Sequence, residues 1–236
     1  MNQKVQMYDA DMWARESVYT WANAVTLART VIGVALFAIA SGVPGTTIRL
    51  VGLAVYWIGD MLDGWLARRL NQETRLGAQM DIIADRLLMA FFYVSYVVWH
   101  PDVAVPIALF LIQFMLVDQY LSLQFLRYPL LSPNYFYRVD PLIWRLNWSP
   151  LAKLFNTGMT TVLLLIAPSL VLFPVVGLLL IKIYSAVRLY RLSRRAHLPG
   201  GAARRAGEGE RLHGRLNCDE HDRSVGDPAA DRPLRH

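Results

Sequence analysis

The sequence predicts an all-α integral membrane protein with six transmembrane helices. Hydrophobic residues make up 55% of the 236 residues, and they occur in long blocks separated by short polar gaps. A helix needs roughly 20 apolar residues to cross the hydrocarbon core of a bilayer, and several blocks reach that length. Soluble domains seldom carry such blocks, so the composition argues against an ordinary globular domain.

Six apolar blocks give the predicted helices. These spans are residues 22–40, 47–68, 78–99, 103–126, 151–167 and 171–191. Pro44, Pro101, Pro168 and Pro174 mark turns, because proline interrupts helical hydrogen bonding. The gap between the last two blocks is very short, which predicts a tight helical hairpin.

The chain divides into three predicted segments. Residues 1–20 form a polar N-terminal juxtamembrane segment with scattered aromatic residues, read either as an amphipathic surface helix or as a disordered lead-in. Residues 21–196 form the six-helix membrane domain. Residues 197–236 mix glycine, proline and both charge signs, which predicts a disordered cytoplasmic tail. The only cysteine, Cys218, lies in this tail and excludes a disulfide framework.

Basic residues are concentrated at one set of helix ends, which predicts the orientation in the membrane. This set contains Lys4, Arg15, Arg68, Arg69, Arg75, Arg127, Arg138, Arg145, Lys153 and the cluster at 188–195. The opposite ends hold little beyond Arg49. We therefore expect a multi-pass cell-membrane protein with both termini, the turn at 69–77 and the loop at 127–150 in the cytoplasm. The net charge of +6 suits an anionic leaflet, and no nucleic-acid partner is expected.

Four aspartates stand near the predicted cytoplasmic ends of the second and third spans. Asp60 and Asp63 are three residues apart, and Asp81 and Asp85 are four apart, so each pair shares one helix face. A short turn joins the two helices, so the pairs are expected to converge at one depth. Acids inside membrane helices are costly and usually functional.

Converging carboxylates need a cationic partner. With neither His nor Cys nearby, their oxygen ligands favour Mg²⁺, Mn²⁺ or Ca²⁺ over zinc or copper. Two divalent ions sharing carboxylates can hold a phosphate or diphosphate for in-line attack. Gly64, Ala67 and Gly77 would let a ligand approach the helix backbones. Taken singly, each small residue is better explained by ordinary helix packing in membranes, but at these spacings with four acids the ligand-binding reading is favoured.

The pattern Asp60-x2-Asp63-Gly64-x2-Ala67-Arg68-x8-Gly77-x3-Asp81-x3-Asp85 resembles the signature of the CDP-alcohol phosphotransferases at all eight fixed positions. The resemblance covers about residues 8–195. It implies a fold of six spans with an N-terminal surface helix. It also implies a reaction in which a CDP-linked donor gives its phosphoryl-alcohol unit to an acceptor hydroxyl and CMP leaves.

The resemblance further implies metal and catalytic roles for the acids. Asp60, Asp63 and Asp81 would hold two ions, Mg²⁺ or Mn²⁺, and Asp85 would complete the second ion's site. Asp85 is also the candidate general base, because a base beside a divalent ion can deprotonate a hydroxyl.

The same resemblance implies a donor nucleotide site. Gly64 and Ala67 would lie against the cytidine, with Gly77 on the same face of the site. Arg68 would contact the diphosphate and stabilise charge on the leaving group.

A second polar face lies on the first span, where Asn23-x2-Thr26-x2-Arg29 places three polar groups at helical spacing. Members of the family often carry a similar Asn-x-x-Thr-x-x-Arg. Asn23 and Thr26 are therefore expected to face the nucleotide. The alternative is snorkelling by Arg29, with interhelical hydrogen bonds from Asn23 and Thr26.

The acceptor site is less clearly marked. Phosphatidylglycerophosphate synthases of the family often carry Gly-Lys-x-x-Thr before the fifth span. This chain keeps Lys153 but has Ala152 and Asn156 in place of the glycine and threonine. Lys153 is a candidate ligand for a phosphorylated acceptor, and a topology-setting lysine is the alternative. Arg127 and Arg188 are further candidates.

The sequence therefore predicts transfer of a phosphatidyl group from CDP-diacylglycerol to a small polar alcohol, with or without a phosphate group, in phospholipid biosynthesis. A CDP-head-group donor with a lipid alcohol acceptor is the alternative within the family. A divalent-cation transporter or a membrane scaffold is the non-enzyme alternative. A transporter should place its acids near mid-membrane at a discontinuous helix. The acceptor's identity and a homodimeric state stay open.

Overall fold

The computed structural model describes residues 16–196, and side chains as far as residue 194. The described residues fall into two units, residues 16–187 and residues 188–196, and the second is helical. Within the described range there is no strand. The predicted N-terminal surface helix and the predicted disordered tail lie outside the described residues, except for residues 16–20, which are not helical.

Three long helices form the first half of the bundle. They are α1 (Trp21–Gly42), α2 (Thr47–Arg69) and α3 (Arg75–Val97). Threonine side chains cap the first and third. Thr20 Oγ1 accepts a hydrogen bond from the Asn23 amide at 3.1 Å, and Thr74 Oγ1 accepts one from the Gly77 amide at 2.9 Å. Each satisfies an amide that lacks an intrahelical partner.

The second half of the bundle is more broken. It comprises α4 (Ala104–Ile112), α5 (Gln119–Leu123), α6 (Pro141–Asn147), α7 (Pro150–Lys153), α8 (Thr160–Ile166) and α9 (Leu172–Ala196). A π-helical segment at Gln113–Asp118 joins α4 to α5, and another at Leu154–Met159 joins α7 to α8. Short 3-10 turns occupy Pro101–Val103, Gln124–Arg127, Pro133–Arg138 and Pro168–Leu170.

Within residues 16–196, five helical stretches are long and apolar enough to cross a membrane. They are Trp21–Gly42, Thr47–Arg69, Pro101–Arg127, Pro141–Ile166 and Pro168–Arg194. The prediction of an all-α membrane protein is confirmed. The 23-residue helix α3 is as long, but it carries three charged residues, Asp81, Asp85 and Arg86, within its apolar stretch. The count of six spans therefore stays a prediction.

The region predicted as the cytoplasmic loop at 127–150 is largely helical. It contains the 3-10 turn at Pro133–Arg138 and the helix α6. The Asp140 carboxylate caps α6 by accepting from the amides of Leu142 and Ile143 at 2.9 and 3.0 Å. The prediction of a cytoplasmic loop here did not include this helix or its cap.

Helix α1 packs closely against α2 and α3, with glycines at the contacts. A Cβ added at Gly33 would lie 2.4 Å from Leu88 Cδ2, and one at Gly52 would lie 2.5 Å from Phe37 Cε1. Phe37 and Leu88 are fully buried in the apolar core. These contacts fix the depth of α1 against the two helices that carry the aspartates.

Candidate active site: an acid cluster between two cavities

Three of the four aspartates meet in space, as their spacing predicts. One carboxylate oxygen from each of Asp60, Asp63 and Asp81 lies within 4.8 Å of the other two. The side chains of Asp60 and Asp81 are 44% and 39% exposed, whereas that of Asp63 is only 6% exposed. The cluster therefore has a buried anchor and two carboxylates that remain open to a ligand.

Arg29 of helix α1 lies at the centre of the acids and contacts all four. Its Nε is 2.9 Å from Asp63 Oδ2 and its Nη1 is 3.1 Å from Asp85 Oδ1. Its Nη2 is 3.7 Å from Asp60 Oδ1 and also pairs with Asp81. The arginine is 3% exposed. The sequence analysis placed Arg29 on the right helix face but did not assign it to the acids.

Two small details explain how Arg29 reaches this position. A Cβ added at Gly59 would lie 2.6 Å from Arg29 Cδ and 2.8 Å from its Cβ, so only glycine leaves room for the arginine stem. Thr26, one turn earlier on α1, donates to Asp63 Oδ2 at 2.7 Å. Thr26 thus helps to hold the buried carboxylate, a role that adds to the predicted one toward the nucleotide.

The first cavity, about 100 Å³ in volume, brings together all the residues predicted to bind the donor nucleotide. Its lining includes Asn23, Thr26, Gly64, Ala67, Arg68 and Gly77 from three helices, together with the acids Asp63 and Asp81. The spacing of these residues along the sequence therefore correctly predicts that they lie together. Their roles in binding remain predictions.

Two glycines of this cavity have different surroundings. A Cβ at Gly64 would approach the Arg68 guanidinium at 3.4 Å, so this glycine borders the predicted diphosphate ligand. A Cβ at Gly77 would lie 2.8 Å from Asn23 Oδ1 and 2.9 Å from Thr74 Oγ1. Gly77 is therefore required for side-chain packing between α1 and α3. Helix packing was the alternative to ligand access in the sequence-based interpretation of the small residues.

The second cavity is far larger, about 960 Å³, and mixes apolar with polar lining. Both π-helical segments contribute to it, and such segments are frequent at functional sites. Asp60, Asp81 and Asp85 line it on the side of the acid cluster. Ala78, Asp81, Ser132 and Asn134 line both cavities. The acids therefore stand where a small polar cavity and a large mixed one meet.

The segment after α5 covers the first cavity. Tyr135 donates a hydrogen bond to Glu73 Oε2 at 3.2 Å, which ties this segment to the turn between α2 and α3. Burial and the neighbouring Glu73 carboxylate raise the pKa of Tyr135, so its phenol stays protonated and able to donate. On the other side of that turn, Glu16 accepts from the amides of Arg75 and Leu76 at 3.1 and 3.0 Å.

The three candidate acceptor residues have separate locations. Lys153 lines the second cavity. Arg127 is exposed at the end of a 3-10 turn and contributes to neither of the two cavities described here. Arg188 belongs to the second compact unit. Of the three, only Lys153 is among the described residues that line the second cavity with the acids.

A second buried ionic cluster, which the sequence analysis missed, lines the second cavity. The Arg86 guanidinium pairs with Asp118 and donates to Ser122 Oγ at 2.9 Å, and Lys182 Nζ is 2.5 Å from Asp118 Oδ1. The signal was present in the sequence, because Arg86 and Lys182 lie within apolar blocks, where basic residues are rare.

The acid cluster has the composition of a site for hard cations. Four carboxylates face one guanidinium, so three negative charges lack a formal partner within the described cluster. Oxygen ligands in this number fit Mg²⁺ or Mn²⁺. Asp60, Asp63 and Asp81 are the residues whose oxygens lie close enough together to share an ion.

The fold and the site together define an α-helical membrane protein with an acidic site between a small polar cavity and a large one. The family model for CDP-alcohol phosphatidyltransferase matches residues 19–189. The chain belongs to this family, and the match includes all four aspartates.

Known relatives match shorter stretches, and each is named CDP-diacylglycerol–glycerol-3-phosphate 3-phosphatidyltransferase. The protein of Aquifex aeolicus is 40% identical over 53 residues, which cover 22% of this chain and 30% of the relative. That of Salmonella typhimurium is 36% identical over 69 residues, covering 28% and 37%. That of Escherichia coli K12 is 54% identical over 33 residues, covering 14% and 18%. The alignments thus span well under half of each relative. No solved structure matches the chain.

Proposed function

We propose that the protein transfers a phosphatidyl group from CDP-diacylglycerol to a small polar alcohol and releases CMP. The observation that carries this proposal is the position of the acids at the junction of the two cavities. A donor nucleotide on one side and an acceptor on the other would meet there. Membership of the family and the names of the relatives support the same reaction.

The donor's CDP group binds in the first cavity in this proposal. Arg68 contacts the diphosphate and offsets the charge that develops on the departing CMP. Gly64 and Ala67 leave the surface of α2 open to the cytidine. Asn23 borders the same cavity, but its Nδ2 already donates to Val18 O at 2.8 Å. Its Oδ1 would accept from a nucleotide amino group, and the second hydrogen of Nδ2 would donate to a nucleotide carbonyl.

Asp60, Asp63 and Asp81 hold divalent ions, Mg²⁺ or Mn²⁺, in this proposal. When bound, the ions supply positive charge against the diphosphate oxygens. Arg29 and Thr26 fix the carboxylates in place before anything binds, since both donate to Asp63. Such preorganisation removes the cost of assembling four repelling acids during the reaction.

Asp85 acts as the general base. Its side chain is 21% exposed and lines the second cavity, where the acceptor enters. The carboxylate takes the proton of the acceptor hydroxyl, and the oxygen attacks the donor's phosphatidyl phosphorus. A new phosphorus–oxygen bond forms to the acceptor as the bond to CMP breaks. Lys153, on the same cavity, would attract a phosphorylated acceptor.

We also propose that this chemistry faces the cytoplasm, as the distribution of Lys and Arg predicts. Arg68, Arg69 and Arg75 flank the turn beside the acids, whereas Arg49 marks the opposite end of α2. Arg49 is 2% exposed and donates to the carbonyls of Ala40 and Ser95. Arg49, at the end of α2 away from the acids, is thus used in packing.

The transporter alternative predicts a broken helix at the acids. Helices α2 and α3 are continuous through all four aspartates. The π-helical segments lie on other helices. The structure therefore favours an enzyme over a transporter at this site.

The test is an assay of purified protein with radiolabelled CDP-diacylglycerol and Mg²⁺ or Mn²⁺. We expect CMP release on addition of one of glycerol 3-phosphate, inositol phosphate, inositol or serine. CDP-linked head groups with diacylglycerol form the reverse pair and test the alternative donor. If no acceptor gave CMP release with CDP-diacylglycerol, and a CDP-linked head group with diacylglycerol did, the donor would be the CDP-linked head group instead.

A further inference from the structure

The buried cluster of Arg86, Asp118 and Lys182 has no role in the proposed reaction as described so far. Arg86 is 9% exposed, Asp118 4% and Lys182 1%. Two cations share one anion, so one positive charge is formally unmatched inside this cluster. Charges within a membrane domain are costly and are kept where they act on something.

Polar atoms of this region remain without partners. Among the described residues, Arg86 Nε and Asn147 Oδ1 are buried and have no hydrogen-bond partner. Arg86 Nη1 reaches only Ile82 O, at 3.5 Å. Both Arg86 and Asn147 line the second cavity, and each keeps one buried hydrogen-bonding atom that no described residue satisfies. A buried hydrogen-bonding group without a partner is destabilising, and a ligand that bonded to it would offset this cost.

Another buried arginine shows what a purely structural role looks like in this chain. Arg49 donates from Nε and Nη2 to Ser95 O, from Nη2 to Ala40 O and from Nη1 to Gly45 O. All three of its nitrogens are therefore engaged by backbone carbonyls. Arg86 differs, because its Nη2 is held by Asp118 and Ser122 while its Nε is left over.

We propose that Arg86 binds the phosphate of a phosphorylated acceptor alcohol and that Asn147 accepts a hydrogen bond from one of its hydroxyls. Asp118 and Ser122 are positioning residues that hold the guanidinium. This inference rests on the proposed function and names the acceptor class for the same site. Asp85 precedes Arg86 on α3 and lines the same cavity, so the anchor for the acceptor adjoins the general base.

The charge balance favours a phosphate monoester over other small alcohols. A phosphate monoester carries close to two negative charges at neutral pH. The unmatched charge of the buried cluster and Lys153 on the same cavity would compensate it. A neutral polyol leaves these cations unmatched. An amino alcohol such as serine brings an ammonium group toward them.

The test compares Arg86→Gln with Arg86→Lys and wild type, using glycerol 3-phosphate and glycerol as acceptors in the CMP-release assay. We expect Arg86→Gln to raise KM for glycerol 3-phosphate roughly 10- to 100-fold, the effect of losing a charged hydrogen bond. The KM of Arg86→Lys for glycerol 3-phosphate should lie between those of wild type and Arg86→Gln, because lysine keeps the positive charge but lacks the paired N–H donors of the guanidinium. Neither change should move KM for CDP-diacylglycerol, and neither should alter the rate with glycerol, which carries no phosphate.

A binding measurement without donor separates this inference from the proposed function. Glycerol 3-phosphate should raise the melting temperature of detergent-purified wild type but not of Arg86→Gln. The matched control is Arg49→Gln, which should lower the melting temperature yet keep the stabilisation by glycerol 3-phosphate. Equal stabilisation of wild type and Arg86→Gln, or none in wild type, overturns the inference. Absence of CMP release from every substrate pair overturns the proposed function, while the binding result still decides the role of Arg86.

Discussion

Arg29 and Arg86 are both buried arginines within the helix bundle, but they meet opposite surpluses of charge. Arg29 contacts four aspartates from α2 and α3, so negative charge dominates around it. Arg86 shares the single carboxylate of Asp118 with Lys182, so positive charge dominates there. Both clusters border the same large cavity, through Asp85 in the first case and Arg86 in the second.

The difference in charge suggests that the two clusters bind different ligands. A surplus of carboxylates suits divalent cations and, through them, the donor diphosphate. A surplus of cations suits an anionic acceptor. Neither cluster is neutral by itself, and buried charge without a partner is destabilising. The comparison therefore predicts that each cluster is completed by a ligand of the opposite sign.

Asp63→Asn should have the largest effect of the substitutions in the acidic cluster. Asp63 is buried and accepts from both Thr26 and Arg29, so its loss removes an anchor of the cluster as well as a charge. We expect CMP release to fall at least about 100-fold, which exceeds the usual cost of losing an outer-shell partner. Asp102→Asn, at an exposed turn, is the matched control and should retain activity. Substantial activity in Asp63→Asn would remove Asp63 from the site.

Arg29→Gln tests whether the acids need a counter-cation. The change leaves four carboxylates without their shared guanidinium, and breaking a buried ion pair costs about 3–5 kcal/mol. For a chain of this size we expect the melting temperature to fall by roughly 10 °C. Mn²⁺ should recover more of this loss in Arg29→Gln than it adds to wild type. Arg49→Gln should also be destabilised but gain no such extra response. An equal response to Mn²⁺ in both variants would contradict the account.

Gly59→Ala should disturb the acidic cluster without changing a charge. The added methyl would overlap the stem of Arg29, and such overpacking costs about 1–3 kcal/mol. We expect CMP release to fall on the order of 10-fold, since small displacements at a reacting centre are costly. Gly177→Ala is the control, because a Cβ there meets nothing within 4 Å. Equal activity of the two variants would show that the Arg29 position is not critical.

Thr26→Val should give the smallest effect. It removes the 2.7 Å hydrogen bond to Asp63 but leaves the carboxylate paired with Arg29. One hydrogen bond to a charged group contributes about 1.5–3 kcal/mol, part of which Arg29 retains. We expect roughly a 3- to 10-fold loss of CMP release at limiting Mn²⁺, which higher Mn²⁺ partly restores. A loss that is independent of Mn²⁺ would point to a role for Thr26 in nucleotide binding alone.

The acidic half of the site could be predicted from the sequence because its geometry is mostly local. Asp60 and Asp63 lie within one turn of α2, and Asp81 and Asp85 within one turn of α3. A short turn between the helices then brings the pairs together. The helix ends likewise follow from local caps such as Thr20 and Thr74.

Arg86 and Lys182 stand out as basic residues within apolar blocks, but their grouping into one cluster could not be predicted, because it depends on how distant helices pack. Arg86, Asp118 and Lys182 come from three helical stretches far apart in sequence. Asp118 ends a π-helical segment, whose extra residue per turn changes which side chains face the cavity. Arg29 reaches the acids only because Gly59 lets α1 approach α2. Periodicity along one helix carries none of this information.

The most direct test measures CMP release by Thr26→Val and Arg86→Gln while Mn²⁺ and glycerol 3-phosphate are varied independently. The account predicts that Thr26→Val raises the Mn²⁺ requirement and leaves the glycerol 3-phosphate KM unchanged. It predicts the reverse for Arg86→Gln. Equal shifts in both requirements for both variants would contradict the assignment of cations to one cluster and of the acceptor phosphate to the other.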